Sequence, residues 1–208
     1  MWTKILVYVS TLFIAFAILF ASVLRTASVK YEVCSTSTNQ SFDSSDGNAN
    51  IDYFLPFPGR VLPDSPFWPL KALRDKIWLS ITTSSTRRVE LKLLFADKRL
   101  GSSQLLFQKG KAENALSTLT KAEKYLEEAS LDEEAVRRKG TDTTELLYRL
   151  TKSSLKHYQV MQKLLETVPY EVKPFISKLQ EYPKKSFERG RNGLLEKGEI
   201  PPENPFEW

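Results

Sequence analysis

Chemistry in this chain would have to run on very few reactive side chains, because 208 residues contain one histidine, His157, and one cysteine, Cys34. Zinc centres of the usual kinds need several imidazole or thiolate ligands and are excluded. A Ser/His or Cys/His nucleophile would rest wholly on His157 as its base. His157 falls between Leu150 and Met161 on one helical stripe, where a hydrogen-bonded interface histidine is expected rather than a general base. No glycine-rich phosphate loop of either standard type occurs. The acidic run Asp132-Glu133-Glu134 lacks the alternating ligand spacing of a calcium loop and reads as a solvated helix face. No catalytic residue, metal ligand or cofactor is therefore expected, and the chain reads as non-enzymatic.

Charge offers a second kind of chemistry. Between Lys71 and Lys111 the cations Lys71, Arg74, Lys76, Arg87, Arg88, Lys92, Lys98, Arg99, Lys109 and Lys111 outnumber Asp75, Glu90 and Asp97. A surface made by Arg87, Arg88, Lys92, Lys109 and Lys111 could hold an anionic lipid or cell-wall polymer. Nucleic acid is not expected as a partner, since an exported domain would rarely meet it and helices of mixed sign are usually solvated faces.

Exposed rings are the third lead. Residues 53 to 70 carry Phe54, Phe57, Phe67 and Trp68 among closely spaced prolines, which lack a donor and force an extended or turning chain. Rings of this size are costly to leave in water. They are expected to lock the segment into a groove of its own domain, the alternative being a docking peptide for a partner protein.

The elements that must position these groups are helical. Eight glycines and few β-branched runs argue against a sheet. Asp64 or Ser65 can cap a helix over about 66–82, with Pro66 in its first turn and Leu70, Leu73, Ile77 and Ile81 at helical spacing. A second helix spans about 86–109, with Val89, Leu93, Ala96 and Leu100 on one face, and Gly110 ends it. In the third, Ala115, Leu119, Ala122, Leu126 and Ala129 form a seam for a close antiparallel neighbour. Ser130 with Glu133 resembles a capping box, which predicts a break there before Gly140. The fourth opens at Asp142 and carries Leu147, Leu150, Met161, Leu164 and Val168; Pro169 ends it. A fifth, with Val172, Phe175, Ile176 and Leu179, should be kinked or divided by Pro183, Gly190 and Gly193. The fold class is all-α, an antiparallel bundle of four to five helices over residues 53–198, followed by a loose proline-rich tail at 199–208 whose aromatics could dock back.

Antiparallel pairing about Ser84 and Ser85 brings the Arg74-Asp75 pair level with Asp97-Lys98-Arg99. Arg74 is expected to pair with Asp97, and Asp75 with Lys98 or Arg99, as a structural cluster that fixes register.

At the N-terminus, Lys4 is followed by the uncharged run Ile5 to Leu24, closed by Arg25. That length spans a bilayer as a helix. Ala15-Phe16-Ala17 has the small-x-small pattern of a cleavage site, but more apolar residues follow at once, so a retained signal-anchor over 1–25 is expected. The flanking charges nearly tie. With only four residues before the run, the N-in arrangement places 26–208 outside the cytoplasm. Residues 26–52, rich in Ser, Thr and Asn, read as a disordered stalk. Cys34 lies in that stalk, and a single cysteine excludes an internal disulfide framework.

Six motifs in order, Leu62-Pro63-Asp64-Ser65-Pro66, Leu70-Lys71, Leu73-Arg74-Asp75, Ala96-Asp97-Lys98-Arg99-Leu100, Lys109-Gly110-Lys111 and Lys121-Ala122-Glu123-Lys124-Tyr125-Leu126, resemble the bacterial family called domain of unknown function 5667. The resemblance covers about residues 53–130. It implies a helical domain of envelope-associated proteins, often behind a signal or anchor, and carries no established activity. The expected function is a membrane-anchored, extracytoplasmic interaction module for another envelope protein. The alternative is a basic module for an anionic lipid or polymer, which salt would disrupt.

Overall fold

Glycine and proline divide the chain into its helices. The computed structural model describes Ser10, Thr11, Ile14, Ile18, residues 51–206 and Trp208. Helix α1 runs Trp68–Ile81, α2 Ser85–Gln108, α3 Ala112–Arg138 and α4 Thr144–Thr167. A 3-10 turn, Tyr170–Val172, leads into α5, Lys173–Leu179, and α6, Glu181–Glu196. There is no strand among the described residues, whose regular elements are all helical.

Ser10, Thr11, Ile14 and Ile18 are helical and exposed. The rest of the expected anchor, and residues 26–50 of the expected stalk with Cys34, lie outside the described residues. Among the described residues no helix is long and apolar enough to cross a membrane.

The α2–α3 hairpin is closed by chemistry visible in three residues. Gly110 takes a φ of 70°, which costs glycine nothing. Its N–H donates to the Phe107 carbonyl and that of Lys111 to Leu106, both at 2.9 Å, the paired bonds of a Schellman cap. Helix α3 does not break where a capping box was expected. The Ser130 hydroxyl donates back to the Glu127 carbonyl at 2.9 Å, and Glu133 turns instead toward Thr143. With both side chains used elsewhere, no cap forms and the helix continues to Arg138.

The fifth helical segment divides as the prolines suggest, at Gln180, with Pro183 in the first turn of α6 where no backbone donor is required. Gly190 and Gly193 do not interrupt α6. They let it approach α4 closely: a Cβ at Gly190 would stand 2.2 Å from the Thr151 hydroxyl oxygen, and one at Gly193 3.0 Å from Leu147. Gly190→Ala is therefore expected to destabilise by about 1–3 kcal/mol from overpacking, outweighing the gain of up to ~1 kcal/mol in helix propensity. Urea unfolding checks this, and adding Thr151→Ala should recover most of the loss.

Two apolar clusters fill the bundle. One joins Val89, Leu93 and Ala96 of α2 to Leu126, Ala129 and Val136 of α3 and Leu146 and Leu150 of α4. The other joins Leu100, Leu119 and Ala122 to Val160, Met161 and Leu164 of α4 and Ile176 and Leu179 beyond it. A third, smaller cluster ties the domain's ends together: Ile51, Leu155 and Phe187 pack with Tyr53, Phe206 and Trp208. The C-terminal tail is accordingly docked, not loose, with the Trp208 ring centred 4.2 Å from that of Tyr158. Ile51 is buried, so packing begins within the stretch expected to be stalk.

Candidate functional site

Between the two large clusters lies a layer of charge. In sequence Asp97 separates Ala96 from Leu100, Glu123 separates Ala122 from Leu126, and His157 lies between Leu150 and Met161, so each helix crosses from one cluster to the other at an ionisable residue. His157 is fully buried and faces Glu123 Oε1 at 2.8 Å through Nδ1 and Asp97 Oδ1 at 3.1 Å through Nε2. Asp97 also accepts from the Ser153 hydroxyl at 2.7 Å and the Tyr53 phenol at 2.5 Å.

Burial alone would drive the His157 ring toward neutrality, but the Glu123 charge and hydrogen bonds to both carboxylates outweigh it and hold its pKa at about 9. The ring is an imidazolium at neutral pH and donates from both nitrogens. Burial, and then the Asp97 charge, raise the Tyr53 phenol well above its ordinary value, so it stays a donor. Both ring nitrogens face carboxylate oxygens. The layer joins α2, α3 and α4 and pins the N-terminal segment through Tyr53.

The expected Arg74–Asp97 pair does not form. Equal height on two antiparallel helices says nothing about azimuth, and at about 100° per residue Asp97 and Arg99 point to different neighbours. Asp97 faces α4; Arg99 faces α1, its Nη2 3.9 Å from Asp75 Oδ2. Arg74, 58% exposed, instead binds Asp75 beside it at 2.8 Å. Lys98 meets no carboxylate within bonding distance among the described residues.

Helix α1 is inverted relative to an ordinary surface helix. Its one buried residue is Asp75, while Leu70, Leu73, Ile77 and Ile81, with Phe67 before them, are 40% to 68% exposed. It touches the bundle through polar groups and rings, Trp78 lying edge-on to Phe95 with centroids 6.3 Å apart. Phe54, Phe57 and Phe67 are exposed as well, Phe54 by 84%, which overturns the expectation that these rings lock the proline-rich segment into its own domain. Only Trp68 of the four is partly covered, near the Arg99 guanidinium. Ile51, Tyr53, Leu55 and Leu62 fasten the segment instead.

The proposed anion-binding cations are mostly matched by acids. Arg87 binds Glu90 at 2.7 Å, Lys92 is buried between Glu128 and Asp132 at 3.0 and 2.8 Å, and Lys111 binds Asp64 at 2.7 Å with Lys109 at 3.8 Å. Arg88 is exposed. The unbalanced cations are elsewhere, in a cleft between α1 and α2 lined by Trp68, Lys71, Arg74, Asp75, Trp78, Phe95, Lys98, Arg99 and Ser102. Among the described residues there is no group of acidic, histidine or cysteine side chains arranged for a metal.

A family profile described as a domain of unknown function (DUF5667) matches residues 60–171, more than half of the chain. The chain belongs to this family. The match runs further than the motif resemblance, through α4, so the domain of unknown function 5667 here contains the whole Asp97–Glu123–His157 layer together with the inverted α1, while Tyr53 and α6 lie beyond it. No curated protein and no solved structure matches the chain.

Glu123, Tyr53 and Ser153 were missed in the sequence. A signal for Glu123 was available: it stands four residues after Leu119 and three before Leu126, a core-facing position that an unpaired carboxylate would not occupy.

Proposed function

We propose that this chain is a non-enzymatic docking module of the bacterial cell envelope, tethered by the apolar run 5–24, that presents α1 to a helix of another protein. The outward stripe of Leu70, Leu73, Ile77 and Ile81 carries the reading. Large apolar side chains in a row on one element mark an interaction surface. The stripe is narrow, one residue wide with three- and four-residue steps, which suits the a/d seam of a partner helix better than the broad apolar face of a helix lying in a bilayer. The pairing of Arg87, Lys92, Lys109 and Lys111 with acids gives the polyanion surface less support.

Complexes recovered from the organism's own membranes at ~0.05 M and ~0.5 M salt test this, because an apolar seam resists screening. The chain is expected in a species heavier than itself at both concentrations. Leu73→Asp with Ile77→Asp should weaken association by roughly 3 kcal/mol, about a hundredfold, without lowering stability, since both side chains are exposed. A heavier species that is lost in salt, or that survives both substitutions, contradicts the proposal.

A further inference from the structure

We infer that the mouth of the cleft between α1 and α2, lined by Trp68 and Trp78, binds a phosphate group held by Arg74, Lys98 and Arg99. These side chains are distinct from the outward apolar stripe, so the site stands apart from the docking proposal.

The Arg99 side chain is nine-tenths buried. Of its five N–H donors, one reaches the Phe95 carbonyl at 3.4 Å, and the Asp75 oxygen at 3.9 Å is beyond hydrogen-bond range. Its Nε has no hydrogen-bond partner in the protein. Buried polar groups nearly always have partners, and Arg99 is surrounded chiefly by rings, Tyr125 at 4.5 Å and Phe95 at 5.5 Å.

Its neighbours do not supply the missing acceptor. Asp75 is the one carboxylate in the cleft, and its Oδ1 is taken by Arg74 Nη2 and Nε at 2.8 and 3.3 Å. Lys71 spends its ammonium on the Pro58 and Val61 carbonyls, each at 3.0 Å. The four cations therefore exceed the acid by three charges. Burial, followed by the Arg74 charge, lowers the Lys98 pKa despite Asp75, and burial lowers that of Lys71.

Charge and donor geometry choose the ligand class. A dianionic phosphate offers more acceptor oxygens than a carboxylate and suits planar guanidinium donors. The enclosed part of the cleft is small, about 20 Å³, and it opens to solvent, so the phosphate group is received at its mouth, beside the exposed Arg74, with the rest of a phosphate ester or of phosphatidic acid outside.

The test is tryptophan fluorescence of the full chain in neutral detergent, titrated with inorganic phosphate against chloride at matched ionic strength. A saturable, phosphate-specific change is expected, weakened at least tenfold by Lys98→Gln and by Arg74→Gln, and unaltered by Lys109→Gln with Lys111→Gln. Circular dichroism establishes that each variant is folded; Arg74 and Lys98 are less buried than Arg99 and are chosen for that reason. Displacement of phosphate by phosphatidylcholine vesicles containing phosphatidic acid would assign the lipid headgroup as the source. Binding without displacement would assign a free phosphate ester. The absence of a phosphate-specific change, or an equal change in the Lys98→Gln and Arg74→Gln variants, would overturn the inference.

Discussion

Asp97→Ala is expected to cost about 3–5 kcal/mol, the range for removing one partner of a buried, hydrogen-bonded charge pair. Four elements meet at that carboxylate: α2 carries it, α4 supplies His157 and Ser153, α3 enters through Glu123 on the other side of the ring, and the N-terminal segment hangs on it through Tyr53. Its loss would leave the imidazolium with one acid, and two hydroxyls without their acceptor. Asp97→Asn, which keeps an acceptor oxygen but no charge, should cost less. Arg74→Ala provides the contrast. Its guanidinium is exposed while its partner Asp75 is buried, and Asp75 keeps Arg99 at 3.9 Å, so the loss should be smaller, about 1–2 kcal/mol. Denaturant unfolding of the three variants should rank them in that order, and a similar cost for Asp97→Ala and Arg74→Ala would show that the layer is not what holds these helices together.

The same layer gives stability a pH dependence of unusual sign. His157 titrates near 9 in the folded chain and near 6.5 when unfolded, so the folded state holds its proton more tightly. The contribution is complete below about pH 6.5, declines as pH rises, and is gone once pH has passed about 9. Its size is about 3 kcal/mol, from the shift between the two values. Stability should thus fall across the window in which many proteins are insensitive to pH. The groups facing the ring are Asp97 and Glu123, with Tyr53 and Ser153 behind Asp97. Tyr53, its pKa also raised by burial, adds a further loss of the same sign only above its ordinary value near 10. Unfolding free energies measured from pH 6 to 9.5 test this. The wild type should lose most of the stated amount, and His157→Gln should be weaker at pH 6 but nearly flat. A wild type that is equally flat would mean that the buried ring is neutral.

Much of the fold was legible because it rests on periodicity and caps. The seams at Ala115–Ala129 and Leu147–Val168 are buried as their spacing implies, and Gly110 closes the hairpin that its position announces. What the sequence left open was orientation. Leu70, Leu73, Ile77 and Ile81 identify α1 correctly as a helix, but periodicity reports only that a helix has two faces. Which face turns inward was decided by Asp75 and its contact with Arg99, together with the Trp78–Phe95 packing, none of which leaves a periodic mark. The Arg74–Asp97 pairing failed for a related reason, since height along a helix can be counted from the turn whereas azimuth depends on neighbours not yet placed. The buried layer was half visible: His157 was expected at an interface, but its partners Asp97 and Glu123 lie 60 and 34 residues away in sequence, where only the packed bundle brings them together. The proline-rich segment misled because its rings suggested burial while smaller or polar residues, Ile51, Leu62 and Tyr53, do the anchoring.

The inverted α1 is the feature on which the proposed docking role rests, and one measurement addresses it in the cell. A photo-reactive amino acid placed singly at Leu73, at Ile77 and, as a control, at the exposed α6 residue Glu188 would be activated in intact cells and the adducts identified by mass. Adducts of one defined mass, to another protein, at Leu73 and Ile77 and none at Glu188 are the expected result. Lipid adducts at the stripe, no adduct there, or equal labelling at all three positions would contradict a protein-docking role for this helix.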